Sequence, residues 1–472
     1  MREHLKFYVD GQWVDPVHPA FLDVENPATE DIAGRIAIGS AVDVDRAVKA
    51  ARRAFASWSR TSIDERIDLF ETIVAEFEKR AADIGAAITE EMGAPAALAN
   101  GPQTALAPGH FATAIEILKT FPFEEQRGVT RIVREPIGVC GLITPWNWPI
   151  ALNAAKIVPA LATGCTVILK PSELAPFSAH ILAEVLHAAG APPGVFNLVY
   201  GDGPGVGAAM SSHPDIDMIS FTGSVRAGAE VARDAAPTIK RVTQELGGKS
   251  AHIVLDDAGL AQNVAAGVKT VMDNSGQTCS APTRMLAPAT RMAEVISVAR
   301  ETASQLTVGD PRGNFALGPL VSKAQYDKVQ RLIQKGLDEG ATLVAGGLGR
   351  PDGLTRGHYA KPTVFADVTN DMTIAREEIF GPVLAILGYD DIDHAIAIAN
   401  DSEYGLAGYV SGADLDRARE VARRIRAGWI IVNGGFDFHA PFGGYKKSGN
   451  GREWGEFGFH EYLEIKAIVG WA

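Results

Sequence analysis

The chain has 472 residues, 46% hydrophobic and 21% charged, with a formal net charge of −13. The length exceeds one small core and predicts roughly two to three domains of ordinary globular composition. The acidic balance argues against nucleic-acid partners, which need clustered cations. Three cysteines form no disulfide framework, and the Met1 to Asp10 segment lacks the apolar core of an export signal, so a cytoplasmic location is expected. The most apolar stretch, Ile150 to Leu169, carries Lys156 and Pro159 and changes period midway. It reads as a buried helix followed by a strand, and no membrane association is expected.

In chain order, the N-terminal stretch reads as short extended pieces with turns at Asp10-Gly11 and Asn26-Pro27. Helical periodicity follows. Val42 to Trp58 places Val44, Val48, Ala51 and Phe55 on one stripe, and Ile63 to Ile84 does the same with Ile67, Phe70, Ile73, Val74 and Phe77. A third helix covers Ala105 to Leu118. From Arg131 onward, extended apolar runs (Val139 to Ile143, Thr166 to Leu169, Phe196 to Tyr200, Met218 to Phe221, Ala251 to Leu255) alternate with helical ones. The helices are Ala151 to Leu161, Ser178 to Ala189, Gly205 to Ser212 and Ala227 to Ala235. Such alternation means a parallel sheet covered by helices on both faces. A second α/β series runs from Ala258 to Val432, with strands expected near Leu343, Val383 and Ile430. No linker of low complexity separates the two series, so the domains should pack tightly.

Nucleotide sites in such sheets lie beyond the carboxyl ends of strands, where glycine-rich turns and helix N-termini receive phosphate. Gly201-Asp-Gly203-Pro-Gly205-Val-Gly207 follows one strand, and Phe221-Thr-Gly223-Ser224 follows another and opens a helix. Neither is G-x-G-x-x-G, and both also fit ordinary strand–helix turns. Lys170-Pro-Ser-Glu173 follows a third strand. It reads either as a solvated surface turn or as a cation and carboxylate bracketing a ribose diol. In the second case Glu173 would repel a 2′-phosphate, favouring NAD over NADP.

Asn274-Ser-Gly276-Gln277-Thr-Cys279-Ser280 places a thiol in a small, polar, glycine-containing setting. Glu245-Leu-Gly247-Gly248-Lys249 ends a mixed run with a carboxylate followed by two residues that let backbones approach closely. A thiolate can attack an electrophilic carbon, and a carboxylate can activate the water that releases the product. Cys140 and Cys165 lie on apolar strands and read as inert core. No metal is expected: there is no C-x-x-C and no H-x-x-x-H.

Seven segments, in order, resemble the NAD(P)-dependent aldehyde dehydrogenase superfamily. They are Thr144-Pro-Trp-Asn147-Trp-Pro149, Lys170-Pro-Ser-Glu173, Phe221-Thr-Gly-Ser224, Glu245-Leu-Gly-Gly-Lys249, Gly276-Gln-Thr-Cys279, Glu377-Glu378-Ile-Phe380-Gly-Pro-Val383 and Pro441-Phe-Gly-Gly-Tyr-Lys-Lys-Ser-Gly449. The resemblance covers essentially the whole chain. It implies Cys279 as nucleophile, Glu245 as the base for the deacylating water, and Asn147 as an oxyanion donor alongside the Cys279 N–H. It implies Lys170 and Glu173 at the adenosine ribose, Gly203 and Ser224 near adenine and pyrophosphate, and Glu378 with Phe380 around the nicotinamide ribose. Ile143, Thr144, Pro145, Trp146, Ser172, Phe221, Gly223, Leu246 and Gly247 complete the implied cofactor-binding set. The implied fold is α/β: a Rossmann-like NAD-binding domain (1–120 and 137–246), an α/β catalytic domain (247–445), and a small β oligomerisation arm with the C-terminal segment (121–136 and 446–472). The arm strands, Phe121 to Pro136 and Leu463 to Val469, need a partner, so a homo-oligomer, dimer or tetramer, is expected.

The reaction implied is oxidation of a small-molecule aldehyde to its carboxylic acid with NAD. Its oxyanion needs fixed donors, and Glu245 needs burial to raise its pKa towards neutrality. Acyl transfer to coenzyme A is the near rival, and the intact Glu245 motif argues for water instead. A noncatalytic binding protein on the same fold could have lost Cys279 or Glu245, and both are present. Trp148, Phe436 and Phe438 read as core or as tunnel walls. Glu453 and Glu464 read as ion-pair partners before members of a proton route.

Overall fold

The computed structural model describes residues 1–471, so residue 472 of the expected C-terminal segment lies outside them. Two large sheets dominate, and two three-stranded sheets flank them. The first large sheet runs in the order Gly449–Asn450, Arg241–Glu245, Met218–Thr222, Val139–Ile143, Thr166–Lys170, Phe196–Leu198, Phe7–Val9 and Gln12–Val14. Its five inner strands, from Arg241–Glu245 to Phe196–Leu198, are joined by four parallel pairings, and the outer strands join antiparallel. Val139–Ile143, Thr166–Lys170 and Met218–Thr222 are buried at every position, as a sheet covered on both faces requires.

The strand order decides where a ligand can sit. From Val139–Ile143 the chain steps outward through Thr166–Lys170 and Phe196–Leu198, then returns to the other side of its starting strand at Met218–Thr222. A crevice therefore opens beyond Ile143 and Thr222, where neighbouring connections leave in opposite directions. Helix Pro149–Thr163 fills one crossover, with Pro at its start and Gly164 at φ 96° ending it.

The second large sheet runs Thr342–Ala345, Thr363–Ala366, Val383–Tyr389, Arg284–Pro288, Ala251–Val254, Ala407–Ser411 and Trp429–Val432. All its pairings are parallel except that of the Thr342–Ala345 edge. The strands expected near Leu343, Val383 and Ile430 are present. Arg241–Glu245, Arg284–Pro288, Thr363–Ala366 and Ala407–Ser411 are strands that periodicity did not single out, because short central strands carry no alternation. The helix expected over Ile63 to Ile84 continues to Met92 and stops at Gly93, whose φ is 78°. Phe196–Leu198 is shorter than expected, and the helix expected from Gly205 begins as a π-turn over Gly203–Gly207.

Glu124–Arg127, Thr130–Pro136 and Leu463–Val469 form the small antiparallel arm. Within the C-terminal segment, Gly449–Asn450 instead returns to the cofactor sheet and pairs with Gln244 and Glu245. Among the described residues no helix is long and apolar enough to cross a membrane.

Candidate active site

Cys279 sits at the end of a backbone turn of unusual conformation. Asn274, Ser275 and Gly276 have φ of 51°, 55° and 73° in succession, a left-handed run that only its surroundings can hold. The holding contacts are specific. Asn274 Nδ2 donates to Asn147 O at 2.9 Å, and Gln103 Nε2 donates to Asn274 Oδ1 at 3.2 Å. Ser275 Oγ donates to Gly318 O at 2.8 Å, and Gln277 Oε1 accepts from the Val321 N–H at 2.9 Å. At Gly276 a Cβ would lie 2.1 Å from Gly381 O, so this residue must be glycine.

The turn brings the expected catalytic groups together. Asn147 Nδ2 donates to Gln277 O at 3.1 Å, and Trp148 Nε1 donates to Thr278 Oγ1 at 2.9 Å. Thus Trp148 is tied to the nucleophile loop. The paired glycines are explained by contact: a Cβ on Gly248 would be 2.4 Å from Cys279 O, and one on Gly247 would be 2.5 Å from Glu378 Oε2. Glu378 Oε1 in turn accepts the Gly248 N–H at 3.0 Å.

Burial pushes the Cys279 thiol up to about 12, helped by the charges of Glu378 and Glu245 and opposed by the N–H groups of Ser280 and Cys279. The resting sulfur is therefore protonated, and something must take its proton before it attacks. Glu245 is buried, and neither carboxylate oxygen has a hydrogen-bond partner. Burial first, then the neighbouring Glu453, raise its pKa well above the carboxylate range, against the pull of Lys156 and Arg452. That direction is the one expected of the base. Glu453 is paired with buried Lys156, which also donates to Ser220 Oγ at 2.9 Å, and Glu464 pairs with Arg241 at 2.9 Å. Both are ion-pair residues.

A cleft of about 180 Å³ opens above Cys279, lined by Pro145, Trp146, Asn147, Gly223, Ser224, Leu246, Gly247, Glu378 and Phe380, among others. It lies at the crevice between the Val139–Ile143 and Met218–Thr222 strand ends. Ser224 caps helix Val225–Ala235 by accepting the Ala227 N–H at 3.2 Å, so that helix starts at the cleft wall. Trp146 meets the Phe380 ring edge to face, with centroids 5.3 Å apart.

The remaining expected cofactor residues do not border this cleft. Ile143, Thr144 and Phe221 are buried beneath it; the Thr144 hydroxyl is bound to Asn153 Oδ1 at 2.6 Å, and the Phe221 ring underlies Gly223. Lys170 and Glu173 pair at 3.2 Å at the next strand end, and Ser172 Oγ accepts the Leu174 N–H in the same turn. The exposed Gly203 belongs to the adjacent π-turn, and Asp202 at its start adds to the field at Lys170. Lys170, Ser172 and Glu173 stand at the end of the strand that pairs in parallel with Val139–Ile143.

A family model described as the aldehyde dehydrogenase family matches residues 13–468. The chain belongs to the aldehyde dehydrogenase family. It is an oxidoreductase acting on aldehydes. The 3-succinoylsemialdehyde-pyridine dehydrogenase of a Pseudomonas species is 57% identical over 474 residues, covering 100% of this chain and 99% of that one. A mutant aldehyde dehydrogenase C from Pseudomonas syringae, solved with NAD+ and octanal, is 55% identical with a TM-score of 0.98, covering 99% of this chain and 97% of that one. A Mycobacterium tuberculosis aldehyde dehydrogenase complexed with NAD+ is 41% identical with a TM-score of 0.96, covering 99% and 98%.

Two wall residues of this aldehyde dehydrogenase had drawn no notice in the sequence, Gln325 and Lys328, while a third, Thr222, lay inside the Phe221–Ser224 segment without being singled out. Gln325 Nε2 donates to Phe380 O at 2.7 Å and to Ile379 O at 3.1 Å, fixing the loop that carries Glu378. Both Gln325 and Lys328 lie on helix Lys323–Asp338. Its amphipathic sequence reads as any surface helix, so no local signal marks them.

Proposed function

We propose that this chain oxidises an aldehyde to its carboxylic acid with NAD, through a covalent bond to Cys279 that water then breaks. The observation that carries the reading is the Cys279 thiol and the Asn147 amide on the wall of one cleft, with the unpartnered Glu245 carboxylate near enough for its charge to raise the thiol's pKa. Cys279 gives its proton to solvent water, and its thiolate sulfur attacks the carbonyl carbon, whose π electrons pass to the oxygen. Asn147 Nδ2 carries two hydrogens, one bound to Gln277 O, and the other meets the new oxyanion together with the Cys279 N–H. A bound nicotinamide would supply the acceptor for the hydride that the tetrahedral carbon on Cys279 releases. A thioester remains on Cys279. Glu245 takes a proton from water, the resulting hydroxide adds to the thioester, and the sulfur departs as the acid forms.

The residues fit the dinucleotide. The cleft beside Cys279 matches its reactive end, with Glu378 and Phe380 at the ribose. The Ser224 helix start suits the pyrophosphate, with Lys170, Ser172, Glu173 and Gly203 at the adenosine. Glu173 disfavours a 2′-phosphate, supporting NAD over NADP. The domain division inferred is 1–120 with 137–246, 247–445, and 121–136 with 446–472, with Gly449–Asn450 reaching back from the last segment to the cofactor sheet. A homo-oligomer, dimer or tetramer, is inferred because strand Leu463–Val469 leaves one edge free and exposes Ile465 and Val469. A cytoplasmic location is inferred from the three free cysteines. Water, and not coenzyme A, resolves the thioester on this reading. Relatives named for a pyridine semialdehyde and crystallised with octanal set the range of aldehydes to try first.

The test is NADH formation by the purified chain with small aldehydes, with and without coenzyme A. The reading expects NADH formation that coenzyme A leaves unchanged. No NADH with any aldehyde would sink it, and strict dependence on coenzyme A would replace hydrolysis with acyl transfer.

A further inference from the structure

The Cys279 turn and the Asn147 segment meet at a third element, which takes no part in the bond-making steps. Helix Thr104–Leu118 is preceded by a π-turn over Ala99–Gln103. Pro102 has no N–H to give and crowds the residue before it, and Gly101 leaves the helical range at φ −102°, ψ −106°. The residue after this kink, Gln103, is fully buried. Its Nε2 donates to Asn274 Oδ1 at 3.2 Å, across 171 positions of sequence, and faces Met92 Sδ, a weak acceptor, at 3.7 Å. π-turns of this kind recur at functional sites.

The amide orientations follow from one another. Asn274 Nδ2 sits against two backbone carbonyls, Asn147 O at 2.9 Å and Gln277 O at 3.3 Å, so its two hydrogens face them. Its Oδ1 must then face Gln103, and Gln103 must answer with its own NH₂. That leaves Gln103 Oε1 buried, and no donor among the described residues reaches it. An acceptor left unpaired in the interior costs stability. It is tolerated here because Asn274 Oδ1, itself buried, requires an uncharged donor of that length. What Asn274 holds gives the arrangement its purpose. Asn147 Nδ2 bonds to the same Gln277 O at 3.1 Å, so Asn274 brackets Asn147 and the Cys279 turn. Asn274 does this from a left-handed conformation, at φ 51°, that its contacts must sustain.

We propose that Gln103 is a positioning residue for the reaction: through Asn274 it fixes the Asn147 amide against the Cys279 N–H, the two donors that meet the oxyanion. The inference rests on Cys279 as nucleophile and Asn147 as oxyanion donor. An oxyanion forms twice, before the hydride leaves and again before the thioester breaks, so a displaced Asn147 slows turnover at either step. Gln103 is fully buried and does not line the cleft, so NAD binding does not depend on it.

The experiment measures kcat and KM for hexanal with NAD in the full chain, in Gln103→Met and in Gln103→Leu, with the concentration of folded enzyme taken from bound NAD. Methionine keeps the length and removes the donor; leucine removes the donor by a second route. Both changes should lower kcat by roughly ten- to a hundredfold, the cost of a misplaced reacting group, with KM for NAD within about twofold of the unaltered value. In an Asn147→Ala background Gln103→Met should cost no more than about twofold, because the donor it aligns is gone. A merely structural role would give the same loss in both backgrounds. A kcat unchanged by either substitution, equal losses with and without Asn147, or loss of NAD binding in both variants overturns the proposal while the unaltered chain still oxidises hexanal. An unaltered chain that turns over no aldehyde would instead remove the Cys279 mechanism, and this inference with it.

Discussion

The two sides of the proposed reaction centre are built on opposite plans. The Cys279 turn is held by side-chain hydrogen bonds from Gln103, Asn147, Asn274, Ser275 and Gln277, which keep three successive residues in left-handed conformation. The Glu245 carboxylate, close enough for its charge to raise the thiol's pKa, has no hydrogen bond at all. A nucleophile is effective when its position is over-determined. A base is effective when its charged form is left unsatisfied, because every donor would lower its pKa. Rigidity on one side and deprivation on the other serve the same reaction.

That contrast can be broken from either side. Cys279→Ala should have the largest effect, abolishing NADH formation by about 10⁴-fold or more while NAD still binds. Substantial residual turnover, measured by absorbance, would refute the nucleophile. Glu245→Gln should leave a rapid first burst of NADH but slow steady turnover by about 10²- to 10⁴-fold. In the unaltered enzyme, steady turnover should rise with pH, since the raised pKa keeps Glu245 protonated and useless as a base until the solution becomes more alkaline. Stopped-flow traces with equal burst and steady rates before and after the change would count against Glu245.

Smaller effects sharpen the comparison. Asn147→Ala should reduce kcat by about 10²-fold or more, the usual loss for one oxyanion donor. An effect confined to KM would make Asn147 a loop anchor through Gln277 only. Glu173→Gln should narrow the preference for NAD over NADP by about tenfold in kcat/KM, with little change in kcat. Equal efficiency with both cofactors in the unaltered chain would discard the argument from Glu173 altogether.

The parts of this site that were legible in the sequence share one property: their chemistry depends on immediate neighbours in the chain. Gly247 and Gly248 announced a close approach, and the approach is to Glu378 and the Cys279 carbonyl. Gly276 marked the thiol's setting as glycine-containing, and the structure shows its close contact to be the Gly381 backbone. The parallel runs Val139–Ile143 and Met218–Thr222 appeared as continuous apolar stretches because they are buried on both faces. Arg241–Glu245 was not recognised as a strand. Its five residues are mostly polar, and only pairing with Met218–Thr222 and Gly449–Asn450 makes them one. Gln325 and Lys328 were missed for a related reason, since a polar residue on an amphipathic helix is ordinary until the fold sets that helix against a cleft.

Residue order alone therefore established the α/β class and singled out the candidate thiol with its glycine setting and the candidate carboxylate, because backbone freedom and periodicity are local properties. Only the tertiary structure decided that the Glu245 carboxylate lacks every hydrogen-bond partner. The same holds for the cleft, which opens where strand order reverses. Desolvation and hydrogen-bond satisfaction depend on groups hundreds of positions away in the chain, and no local pattern encodes which of them will arrive.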